Sequence, residues 1–198
     1  MITCQELIEK LEERYPRMYA CGWDNTGLLA GDREQAVQTV YIALDAVEAV
    51  IDEAVKAGTD LLVTHHPMIF GSIKSVTGDD YVGRRLIRLI RENISCYAMH
   101  TNYDVMGMAE LAASYLGLQD TFVLEEVLDG EGIGRVGALR DSMTLKDCAD
   151  LVKERFHLPN VKVFGDLNKI VRMAAISPGA GKSMAEPALL SGADVLIT

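Results

Sequence analysis

The stretch Ala57-Gly58-Thr59-Asp60-Leu61-Leu62-Val63-Thr64-His65-His66-Pro67 decides how the rest of the chain is read. Val47 to Ala57 reads as a helix, Gly58 suits the left-handed residue that closes one, and Asp60 to Thr64 is a short apolar run of strand length. A β-like run from Thr39 to Leu44 comes first, so the segment reads as strand, helix and parallel strand. The octet returns as Ser191-Gly192-Ala193-Asp194-Val195-Leu196-Ile197-Thr198, identical at four of eight positions. It too follows a β-like run, Val171 to Ile176, and a helical stretch from Lys182 to Leu190. Any helix–Gly–strand joint in an α/β protein has this look. The alternative is a duplicated β-α-β unit, which predicts two similar, pseudo-symmetric lobes. In the first copy the strand runs into His65-His66-Pro67, whereas in the second the sequence stops at Thr198. On this reading the second lobe is incomplete there and lacks its site residues.

Outward from the octet the alternation continues. Thr3-Cys4-Gln5-Glu6 is a capping box that opens an amphipathic helix, and Pro16 ends it. Cys21 to Asp32, with the single tryptophan at Trp23, is rich in turn residues and reads as a shaped loop. Asp79 to Glu92 reads as a helix with Leu86, Ile87 and Ile90 inward; Ile94 to Met99 is a strand and Gly107 to Leu116 a helix. Beyond Asp120 the texture changes. Phe122 to Val127 and Arg135 to Leu139 read as strands around a Gly-rich turn, Gly130 to Gly134. Thr144 caps a helix to Phe156, and Val161 to Phe164 is a further strand. The expected fold is α/β: two similar lobes, residues 1–122 and 123–198, with mainly parallel sheets flanked by helices.

Composition narrows the function classes. At 198 residues, 49% hydrophobic and 24% charged, the chain suits one domain or two small lobes and not a disordered polymer. A net charge of −10 argues against direct nucleic-acid binding, which relies on Lys and Arg. No apolar stretch approaches the ~20 residues of a membrane helix, and the N-terminus lacks the features of a signal peptide. Cys4, Cys21, Cys96 and Cys148 have no paired spacing, so reduced thiols and a cytoplasmic location are expected.

Parallel sheets present ligands at the C-terminal ends of their strands, which directs attention to the residues just after Leu44, Val63 and Met99. His65-His66 comes after one strand; His100 and Asp104, four residues apart, come after another. Adjacent histidines on a turn point in different directions, which suits two neighbouring divalent ions better than one. A carboxylate can bridge such ions, which sit about 4 Å apart when they act together on water. The everyday reading of a lone histidine is a satisfied core or surface residue, and His157 is taken that way. Asp45, at the end of the first strand, either orients a ligand histidine or caps the next helix. Ser177-Pro178-Gly179-Ala180-Gly181-Lys182-Ser183 imitates a P-loop, but Ile176 stands where its first glycine belongs.

Taken with these, Trp23-Asp24-Asn25-Thr26-Gly27-Leu28, Thr64-His65-His66-Pro67, His100-Thr101-Asn102-Tyr103-Asp104 and Gly134-Arg135-Val136-Gly137 resemble the NGG-interacting-factor-three-like family over essentially the whole chain. Bacterial members are often labelled GTP cyclohydrolase 1 type 2 homologues. The resemblance implies a dinuclear divalent-metal site (Zn, Fe, Mn or Ni) with His65 and His66 as ligands, Asp104 bridging, and His100 lining the site. It implies a toroidal homohexamer acting on a small molecule. The family's remaining ligands, a His and a Glu, lie beyond the strand that ends here at Thr198. At Gly107-Met108-Ala109-Glu110, where the family commonly has a Gly-Val-Asn-Asp-like stretch, a local difference in helix capping is expected. The resemblance leaves two functions: a metal-dependent hydrolase acting on a nucleotide-like molecule, or a non-catalytic metal-binding regulatory or scaffold protein. An open coordination position separates them.

Overall fold

A computed structural model describes residues 1–198, and the chain divides into two compact units, Met1–Tyr103 and Asp104–Thr198. The boundary expected from sequence lies later, after residue 122, where the texture of the chain changes. In the first unit the elements are β1 (Ile2–Thr3), α1 (Cys4–Arg14), β2 (Gly27–Ala30), β3 (Ala36–Val37), β4 (Val40–Ala43), α2 (Glu48–Lys56), β5 (Leu61–Thr64), α3 (Tyr81–Arg91), β6 (Ser95–Ala98) and a single turn, α4 (Thr101–Tyr103). The Thr3 capping box forms as expected: Glu6 N–H donates to Thr3 Oγ1 at 3.2 Å and Thr3 N–H to Glu6 Oε2 at 2.7 Å. Such a cap contributes about 1 kcal/mol.

The main sheet of this unit runs β2-β6-β5-β4, with β4, β5 and β6 parallel and β2 antiparallel at the edge. Both faces are covered, so β5 and β6 are buried along their whole lengths. On one face Leu62 and Cys96 pack with Ile51 and Ala54 of α2 and Leu86 and Leu89 of α3. On the other, Leu61, Val63 and Tyr97 pack with Cys4 and Ile8 of α1. Helix α3 corrects one detail of the sequence reading. Its buried stripe is Gly83, Leu86 and Leu89, and Ile90 faces solvent. The helical period from Leu86 reaches the sheet again at Leu89, and the next residue is rotated away by about 100°.

The second unit opens with a π-helical stretch, Asp104–Met108, followed by α5 (Ala109–Leu116), β7 (Gln119–Leu128), β8 (Glu131–Thr144), α6 (Leu145–Arg155), β9 (Ile170–Ile176), a 3-10 turn (Lys182–Met184), α7 (Ala185–Leu190) and β10 (Val195–Ile197). At 107–110 the wide-turn segment leads directly into α5 through Met108, with no side-chain cap. Thr144 does cap α6, accepting from Asp147 N–H at 3.1 Å.

Its sheet runs β10-β9-β8-β7, and here parallel pairing is confined to β9 and β10. Strands β7, β8 and β9 are antiparallel; β7 turns straight into β8 at Asp129-Gly130, both in left-handed conformation at φ 51° and 80°. Most of the Gly-rich segment therefore lies within β8. Residues 161–164, expected to be a strand, have no regular structure, and Phe164 is exposed. Ala112, Ala113, Leu116 and Val152 pack with Ile176 in one cluster, and Met184 and Ala188 with Val136 and Ala175 in another. No helix is long and apolar enough to cross a membrane.

Candidate metal centre

Three parallel strands deliver the candidate residues to one edge of the first unit's sheet. The ladder continues past the strands themselves: His65 N–H donates to Ala43 O, His66 N–H to Leu44 O, and Met99 N–H to Thr64 O. Asp45, His65, His66 and His100 therefore sit just beyond the C-terminal ends of β4, β5 and β6, where the sheet rule places ligands. Thr64 Oγ1 donates to His66 O at 2.9 Å and holds the turn between the two histidines.

His65, His66 and His100 each offer a ligand atom, and these atoms lie within 4.8 Å of one another. The ring centroids are 4.9 to 5.6 Å apart. Their hydrogen bonds share one pattern. Nδ1 of His65 lies 3.0 Å from Met99 O, Nδ1 of His66 2.8 Å from Asp45 Oδ1, and Nδ1 of His100 2.9 Å from Asp24 Oδ1. A carbonyl or an ionised carboxylate can only accept, so each Nδ1 carries the proton, and Nε2 is the atom through which a neutral ring would bind an ion. Metal-binding histidines are oriented this way. Burial, followed by the neighbouring His100 and His66, holds the His65 pKa below its ordinary value, in keeping with the neutral, ligating form. Asp45 is thus a partner of His66; α2 starts after Val47 with no side-chain cap.

Asp24, a member of the turn-rich loop, joins the site although its sequence context assigns it no role there. Its side chain is fully buried. Besides His100 it accepts from Thr101 Oγ1 at 2.6 Å and Thr101 N–H at 3.0 Å. Burial alone raises a carboxyl pKa, but the hydrogen bonds from His100 and Thr101 outweigh it and hold Asp24 at about 2. Cys21 N–H donates to Thr101 Oγ1 at 2.8 Å, and Asn25 Nδ2 to Ile69 O at 2.7 Å, so the Cys21–Asn25 loop is fastened on both sides. The signal in the sequence is the turn-rich segment around the single tryptophan. Asp104, the carboxylate four residues after His100, is the first residue of the second unit.

Buried strand ends carrying convergent, oriented imidazoles define an α/β protein with a group able to hold a metal ion. The chain belongs to the Duf34/NIF3 (NGG1p interacting factor 3) family, which it matches over residues 2–198. It is 36% identical to a Clostridium perfringens protein named GTP cyclohydrolase 1 type 2 homolog, over 98% of this chain and 75% of that one. A Clostridium acetobutylicum protein of the same name is 34% identical, over 100% of this chain and 75% of its own length. Among solved structures, a Bacillus cereus protein related to NIF3 superposes with a TM-score of 0.90 at 26% identity, covering 98% of this chain and 81% of that one.

Proposed function

We propose that this chain is a metal-dependent hydrolase of small, nucleotide-like molecules, with a centre for two divalent ions. In this reading His65 and His66 bind one ion each, Asp104 bridges them, and His100 completes the imidazole group. The observation that carries it is the common pattern of the three rings: Nδ1 is bonded to an acceptor in each. When bound, a divalent ion supplies Lewis-acid chemistry, acidifying a water and polarising a substrate oxygen. The protein's share is orientation. Asp24, Asp45 and the Met99 carbonyl hold the rings in the ligating tautomer before any ion arrives. Imidazole with carboxylate suits Zn, Fe, Ni or Mn.

The role of Asp104 rests on its spacing from His100 and on the family resemblance. The nucleotide-like substrate is suggested by the name of the clostridial relatives, GTP cyclohydrolase 1 type 2 homolog. Assembly into a homohexamer in the cytoplasm also belongs to the proposal; four cysteines without a disulfide fit the latter. Elemental analysis of Asp104→Ala, His65→Ala and His66→Ala tests the assignment. Asp104→Ala should lose both ions together, and each histidine variant should weaken mainly one. Full occupancy in all three would sink it.

A further inference from the structure

Beside the histidine group stands a pair of aromatic rings that the proposed metal chemistry does not use. Trp23 and Phe70 stack with centroids 6.0 Å apart and planes 29° apart. His100 meets both edge-on, at 6.0 Å from Trp23 and 6.1 Å from Phe70. Yet the two rings are 62% and 58% exposed. Large aromatics bury most of their surface when their role is packing; these two keep more than half of theirs in water while held in place from behind.

The holding is specific. Asp24, next to Trp23, is the buried anchor of His100 and Thr101. Asn25 donates to the carbonyl of Ile69, next to Phe70. One short clamp thus fixes both rings and ties them to the histidines. A rigid, solvent-facing π surface one ring-width from a candidate metal centre is pre-organised for a ligand, and its ordering cost is met in the folded state. The centroid spacing leaves no room between the rings, so a ligand stacks on their outer faces. Phe70 and His66 also border a cavity of about 560 Å³. Its walls carry Lys74 and Arg85 as well as Asp45 and Asp80, so charge does not select the ligand.

We infer that Trp23 and Phe70 form an aromatic wall that selects ligands with a planar aromatic ring and an oxygen donor reaching the histidine centre. The inference rests on that centre being the reactive one, and names the substrate class it takes. Stacking on an exposed aromatic side chain contributes enough for about a tenfold preference over a saturated ring.

The test is calorimetric titration of the zinc-loaded chain with benzoate and with cyclohexanecarboxylate, which share a carboxylate and differ in ring aromaticity. Trp23, the single tryptophan, supplies a fluorescence readout. Benzoate should bind about tenfold more tightly and quench the emission. Trp23→Leu and Phe70→Leu should each bring the ratio toward one in the calorimeter with bound zinc unchanged. Equal affinities in the wild type, or a preference kept in Trp23→Leu, would overturn the wall. So would emission that changes with protein concentration and ignores benzoate, which would mean that a second copy covers the rings. Should the chain take up no zinc, the metal reading fails separately. Benzoate quenching of the metal-free chain then still supports the wall, and its absence overturns it.

Discussion

The two octets, Ala57–Thr64 and Ser191–Thr198, share a local hydrogen-bond code and differ in what surrounds it. In each, a glycine in the left-handed region comes after the helix, Gly58 at φ 63° and Gly192 at φ 78°. The next residue's N–H reaches back into the helix, Thr59 to Ala54 O and Ala193 to Ala188 O. In each, one aspartate oxygen accepts two consecutive backbone N–H groups from the preceding strand segment. Asp60 Oδ2 takes Gln38 and Thr39 at 2.8 and 2.9 Å; Asp194 Oδ2 takes Arg172 and Met173 at 2.8 and 3.1 Å. Both then enter a strand parallel to that segment. The contexts diverge from there. Strand β5 lies between β4 and β6 and is buried throughout, whereas β10 pairs with β9 alone and is half-buried. The code is a property of eight residues; burial is a property of each unit. The buried strand is the one that delivers His65 and His66 to the candidate metal centre.

That contrast can be broken apart by paired substitutions followed by chemical denaturation. The largest effect belongs to context. Leu62→Ala removes a fully buried side chain from the core and should cost about 3 kcal/mol, whereas Leu196→Ala, at the matching position of the half-buried strand, should cost about 1 kcal/mol. Equal costs would mean that burial does not separate the two strands.

The aspartates should behave alike, because each accepts from a pair of consecutive backbone donors. Asp60→Ala and Asp194→Ala should each cost about 1.5 kcal/mol, a value discounted for solvent screening. For Asp194 the pH dependence has a definite sign. The N–H groups of Met173, then Arg172, hold its folded pKa below the ordinary 3.8. Its contribution is therefore complete above pH 3.8 and fades as pH falls through the lowered folded value. The deficit of Asp194→Ala should shrink on acidification below that point; a deficit that grows would refute the bond.

The smallest effect is the most local. A Cβ at Gly58 or Gly192 meets nothing within 4 Å, so alanine there pays only for its backbone conformation. Both variants should lose about 1 kcal/mol, and a twofold difference would show that the joints are not equivalent.

Legibility in the sequence divides along the same line. The capping box at Thr3, the cap at Thr144, and the β-α-β joints are made by residues a few positions apart, and the sequence predicts each of them correctly. Pairing between distant strands is another matter. The antiparallel pairing of β8 with β9, the irregular 161–164 segment and the outward Ile90 depend on register and tertiary packing that composition does not encode. The candidate site divides similarly. His65, His66 and His100 stand at strand ends that the apolar runs announce. The bond from His100 to Asp24 spans 76 residues of sequence, and only the folded chain brings its partners together.

The His65, His66 and His100 group is placed to hold divalent metal. Elemental analysis of protein purified without chelators or a metal-binding tag, beside the triple variant His65→Ala, His66→Ala, His100→Ala, tests it most directly. Stoichiometric metal is expected in the wild type, up to two ions per chain, and background in the triple variant. Background metal in both, or equal metal in both, would contradict it.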